Sequence, residues 1–171
     1  MTLESSQTVT INIPLEFDRQ TRELIGEDIV DFIRQRTERG LDKNNRRFTG
    51  YSDSYANSTE FIAAGKSKSR VDLELSGDMM SDLAVLDATT AGFIVIGYRT
   101  GESNNKAAWQ RNNLNPNFPR RDFLGITSKD LSNIIARYSP LLNQQVQEER
   151  NRRDRIAEEA RKIISRIRIG N

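Results

Sequence analysis

Hydrophobic positions change their period several times along the chain, and each change marks an expected element. Val9, Ile11 and Ile13 alternate with Thr8, Thr10 and Asn12 as far as Pro14, the period-2 pattern of a half-buried strand. The period then lengthens. Leu24, Ile25, Ile29, Phe32 and Ile33 fall at helical spacing among charged residues, and Gly40 supplies a stop, so residues 18–39 are expected to form an amphipathic helix. Residues 41–70 lose the period: their ends, 42–47 and 65–70, are polar and turn-prone, and a short helix is expected between them at 52–62.

Val71, Leu73 and Leu75 alternate with Asp72 and Glu74, which predicts a second strand at 71–75. Met79, Met80, Leu83 and Leu86 then fit a short helix capped by Ser76 or Asp78. Residues 92–99 are the most apolar stretch, with Phe93, Val95 and Gly97 on one face and Ile94, Ile96 and Tyr98 on the other. That pattern predicts a third strand buried on both faces at the centre of its sheet. Residues 100–120, rich in Asn and holding Trp109, read as a long loop or extended arm. Thr127 and Asp130 have capping-box-like spacing ahead of Leu131, Ile134, Ile135 and Tyr138, giving a helix near 128–138 that stops near Pro140.

From 141 onward the chain is charged and helix-forming. Leu142, Val146, Glu149, Arg153, Ile156, Ala160, Ile163 and Ile167 lie alternately four and three apart, a heptad seam whose middle two members are charged. The pattern as a whole predicts an α+β fold. A small, mainly antiparallel sheet from 8–13, 71–75 and 92–99 is covered by the helices near 18–39 and 128–138. This single core domain, 1–140, carries extended loops at 41–70 and 100–120 and a C-terminal helical extension at 141–171. No internal repeat is present.

Composition narrows the chemistry. Of 171 residues 36% are apolar and 29% charged, as in an ordinary globular chain, and there is neither cysteine nor histidine. Disulfides, thiolate nucleophiles, Cys/His zinc sites and His-based triads are therefore excluded. Net charge is only +2, but the bases are mostly Arg, 20 against 6 Lys, which favours bidentate pairing with carboxylates or phosphates. The first residues lack a signal-peptide pattern and no apolar run approaches membrane-spanning length, so a protein made in a cytoplasm, without a membrane partner, is expected.

Few residues invite a catalytic reading. Gly65-Lys66-Ser67 suggests a phosphate loop, yet Glu60 stands where that loop needs its first Gly. Asp72 and Glu74 share a strand face and offer a carboxylate pair, while Asp78, Asp82 and Asp87 lack any calcium-loop spacing. The expectation is no catalytic, cofactor or metal site. Between 148 and 168 eight bases face five acids, with Glu149 and Arg153, and Glu158 and Lys162, at i,i+4; a partner or neighbouring subunit fits this helix best. The alternative is a DNA- or packaging-associated binding protein using that Arg-rich helix.

A set of segments adds a resemblance. Arg46-Arg47-Phe48-Thr49-Gly50-Tyr51-Ser52 with Tyr55, then Ala64-Gly65-Lys66-Ser67, then Val71 to Met79, and finally Pro119-Arg120-Arg121-Asp122-Phe123-Leu124-Gly125-Ile126-Thr127 occur in this order. Spanning 31–135, the arrangement resembles the virion-morphogenesis (tail-completion, neck) proteins of tailed bacteriophages. The resemblance implies a non-enzymatic virion protein made in the host cytoplasm. It would assemble as a homo-oligomeric ring, hexameric or alternatively dodecameric, between head and tail. Other neck, connector or tail-tube proteins would be its neighbours, and DNA would pass through the lumen without sequence-specific contact. Candidate interface residues on this reading are Arg46, Arg47, Tyr51, Lys66, Lys68, Trp109, Arg120, Arg121, Phe123, Leu124, Arg153, Ile156, Ile163 and Ile167. Phe123 and Leu124, just before a helix cap, equally fit a core staple.

Overall fold

The computed structural model describes residues 6–69, 71, 73, 78–112 and 119–169. Among these, strands β1 (Val9–Asn12), β2 (Leu83–Asp87) and β3 (Phe93–Tyr98) form one antiparallel sheet in the order β1-β3-β2. The fold is α+β, and β3 is central as its two-sided apolar pattern predicts. Val9 pairs with Ile96 and Ile11 with Ile94, whereas on the other side Leu83 pairs with Tyr98 and Val85 with Ile96. A bulge after Val85 sets Asp87 opposite Val95 and leaves Leu86 unpaired.

Helix α1 (Arg19–Glu38) begins where the Asp18 carboxylate accepts the Thr21 N–H at 2.7 Å and ends at Gly40, whose φ of 80° is open to glycine at little cost. Ile25, Ile29 and Ile33 point inward and are fully buried. Gly26 brings helix and sheet together, since a Cβ there would lie 2.6 Å from Val85 Cγ2 and 3.2 Å from Ile94 Cγ2. Two arginines of α1 then fasten irregular backbone. Arg22 donates to the carbonyls of Phe17, Ala88 and Thr89, and Arg34 to those of Met80, Ser81 and Leu83.

The remaining elements correct parts of the sequence reading. Leu83 and Leu86 belong to β2 rather than to a helix; only the short α4 (Asp78–Ser81) precedes it. A hairpin decides the matter: the Asp87 carboxylate accepts from the Thr89 N–H and hydroxyl at 2.8 and 2.7 Å, and Gly92 at φ 92° returns the chain into β3. Of the strand expected at 71–75, Asp72, Glu74 and Leu75 lie outside the described residues. Val71 is buried, but Leu73 has φ 58° and is not extended.

The expected arm at 100–120 is a helix over much of its length, α5 (Gly101–Asn112). Its buried side is made of Ser103, Ala107 and Ala108, too small to register as a hydrophobic stripe. The 52–62 segment forms two short helices, α2 (Asp53–Ala56) and α3 (Thr59–Ala63), capped by Ser52 and Ser58. Pro140 does not end the last helix: α6 runs unbroken from Ser128 to Ile169. One ladder bond is lost there, and the strong helix formers beyond it carry the helix onward. The chain divides into two compact units, Met1–Ile135 and Ala136–Asn171, the second consisting of α6 alone among the described residues. No helix of the described residues is long and apolar enough to cross a membrane.

Candidate interaction surface

The 40s loop and the chain at 119–130, distant in sequence, are bound to one another in the first unit. The Lys43 N–H donates to the Asp122 carbonyl at 2.8 Å, and the Asn45 amide donates to the Asp130 carboxylate at 2.9 Å from a residue held at φ 62°. Thr127 accepts the Asp130 N–H at 3.1 Å and donates to its carboxylate at 2.7 Å, so Thr127 caps α6 and orients the Asp130 carboxylate that holds the 40s loop. That hydroxyl bond keeps the Asp130 carboxyl below its ordinary value.

Arg121 lies beneath this junction. Its backbone N–H donates to the Gln110 carbonyl at 2.8 Å, its guanidinium to Gln110 Oε1 at 2.9 Å and to the Thr49 carbonyl at 3.5 Å. The guanidinium carbon sits 5.1 Å from the centre of the Tyr51 ring. Tyr51, Tyr55 and Phe61 pack mutually with centroids 5.2 to 5.3 Å apart, which fills the space between them and leaves no open aromatic cage. Burial lowers the Arg121 pKa against the opposing pull of the two tyrosines.

Asp122 is shared by three cations: Lys43 at 2.7 Å, Arg111 at 3.3 Å and Arg120 at 3.6 Å. Burial works to raise its carboxyl, but the hydrogen bonds and charges of Lys43 and Arg111 prevail and hold it below the ordinary range. Arg36, only 1% exposed, donates to the carbonyls of Phe123 and Lys43 and faces the Phe32 ring. Desolvation lowers its pKa to about 10, against the pull of Asp130, Asp42 and Asp122. Its Nε finds no partner among the described residues, nor does that of Arg121.

The sequence-expected interface residues therefore separate into three groups. Arg121, Phe123 and Leu124 are interior, and Tyr51 is half-buried in the aromatic cluster; any contact with another subunit falls to their exposed neighbours. Arg46, Arg47, Lys68, Arg120 and Trp109 are exposed, with Lys68 paired to Asp53, Arg120 to Asp122, and Arg46 4.0 Å from Asp42. In the second unit, Arg153 lies 3.7 Å from Glu149, and Ile156 and Ile163 are exposed; the Ile167 side chain lies outside those described.

Lys66 is half-buried, and its loop has a conformational explanation. Gly65 at φ 64° donates to the Ile62 carbonyl and the Lys66 N–H to that of Phe61, so Gly65-Lys66 closes α3 and the Lys66 N–H does not face a phosphate. Asp82 binds the Thr100 N–H and hydroxyl at 2.9 and 2.8 Å, orienting the start of α5. Asp78 opens α4 and Asp87 turns the hairpin, and no grouping of metal ligands occurs among the described residues. Sequence reasoning passed over Lys43, Gln110 and Arg111. Their partners are 11 to 104 residues away, so local spacing carries no sign of them. The site holds packed aromatics, shared ion pairs and exposed cations, groups that can take part in polar contacts with another surface. No protein-family model, no curated protein and no solved structure matches the chain.

Proposed function

We propose that the chain is a structural, non-enzymatic virion protein of a tailed bacteriophage, forming a ring at the neck or head-proximal tail end through which DNA passes. One observation supports this reading above the others. The Arg46–Tyr55 and Pro119–Thr127 segments, two of those that carry the resemblance, meet where Arg121 lies against Tyr51 and donates to the Thr49 carbonyl, while Lys43 on Asp122 and Asn45 on Asp130 tie the adjoining chain. Two of the four segments that resemble one family are thus in contact, edged by exposed Arg46, Arg47 and Arg120. A second unit made of one helix adds weight, because its exposed isoleucines find no core within that unit.

Eliminating the gene from its phage tests the proposal. DNA-filled heads and separate tails, with infectivity restored when the protein is supplied, are expected. Complete, tail-attached, infectious particles formed without it would overturn the reading.

A further inference from the structure

The second unit is a helix with a patterned face and no core of its own. Val146, Ile156, Ile163 and Ile164 are 42 to 58% exposed, while Leu142, Val146, Glu149, Arg153, Ile156, Ala160 and Ile163 follow the four-three spacing of a single seam. Glu149 and Arg153 sit in the middle of that seam, in contact at 3.7 Å and about three-quarters exposed. Two charges in a seam restrict what can lie against it, because a partner must offer the opposite charges at matching heights.

We propose that this seam pairs with the same seam of a second copy of the chain, antiparallel, about a two-fold axis level with Asn151. In that register Glu149 of each copy faces Arg153 of the other. Together with the contact inside each helix, the four side chains close an alternating ring of charge. Val146 then packs on Ile156 of the second copy and Leu142 on Ala160, while Ile163 lies opposite Ser139.

The competing arrangements lose on charge. A parallel, in-register pair sets Glu149 against Glu149 and Arg153 against Arg153. An antiparallel pair shifted by one heptad sets Glu149 against Ala160 and Arg153 against Ile156, or Glu149 against Val146 and Arg153 against Leu142, and leaves both charges facing apolar groups. Beside the axis, Arg150 has Asp154 and Arg152 has Glu148 one turn away, so the flanks are not of one sign. This pairing stands on α6 alone and does not depend on the ring reading. A two-fold contact on this seam leaves head-to-tail ring closure to surfaces of the first unit, and together they would join two rings.

The absence of cysteine makes the full-length chain suitable for a direct test. Val146→Cys and Ile156→Cys are made singly, mixed, and oxidised. The mixture is expected to give a 146-to-156 cross-link, and each variant alone none, since like positions lie roughly 15 Å apart along the axis. Charge reversal supplies a second readout. Glu149→Arg and Arg153→Glu should each weaken self-association about tenfold or more, and an equal mixture of the two should recover it, although each chain keeps its own like-charged pair. Self-cross-linking of Val146→Cys alone would overturn the antiparallel register. Absence of any cross-link would overturn the pairing altogether, and a ring-sized particle without cross-links would do so while leaving the ring reading intact.

Discussion

Arg36 shows how this chain uses arginine internally. With no carboxylate in salt-bridge contact among the described residues, it donates to the carbonyls of Phe123 and Lys43, which fixes the 120s and 40s loops to α1. Arg36→Ala should cost about 2–4 kcal/mol, from a cavity plus unpaired carbonyls, and Arg36→Met less because the volume is kept. Urea unfolding at neutral pH measures both. Acid sensitivity follows from Asp122, Asp130 and Asp82, all held below the ordinary carboxyl value. For Asp82, burial acts upward and is overcome by its bonds to Thr100 and Ser103. A folded pKa below the unfolded one contributes stability in full above about pH 4 and loses it as pH falls through the folded value. The urea midpoint should therefore drop between about pH 5 and pH 2, with a shallower drop in Asp122→Asn.

At the scale of elements, packing decided several outcomes that periodicity alone left open. The boundaries of α1, β1 and β3 were legible because large aliphatic residues alternate there with one clear period. α5 was not, since Ser103, Ala107 and Ala108 bury its inner side while its largest apolar residue, Trp109, is 73% exposed. β2 was hidden by a pattern that fits a helix equally well until the hairpin at Asp87 and Gly92 fixes it. Of the candidate site, Arg121, Tyr51 and the Arg120–Leu124 run were marked in the sequence, although as interface residues, whereas Arg121, Phe123 and Leu124 are interior. Their partners Lys43, Gln110 and Arg111 were not, because contacts across the fold leave no local trace. Gly26 gives a test at this scale. Alanine gains up to about 1 kcal/mol in helix propensity, but its Cβ meets the stiff, branched Val85 at 2.6 Å. Gly26→Ala should therefore lower the melting temperature, by about 1–3 kcal/mol of stability, and Val85→Ala in the same chain should recover part of it.

At the scale of the whole molecule, the proposed contacts fall on two separate units. The first offers exposed Arg46, Arg47 and Arg120 around a hydrogen-bonded junction, and the second a charged, apolar-seamed helix. Obligate rings often order such surfaces only against neighbours, so assembly state is where the reading is most exposed to test. Trp109→Ala at an exposed position should leave monomer unfolding within about 0.5 kcal/mol while serving as a probe of contact on α5. The most direct measurement is the mass of the native full-length particle by light scattering across a range of concentrations. The account predicts a closed particle of six times the 19.5 kDa chain, or twelve times where paired helices join two rings. A monomer or an isolated dimer at every concentration would contradict it.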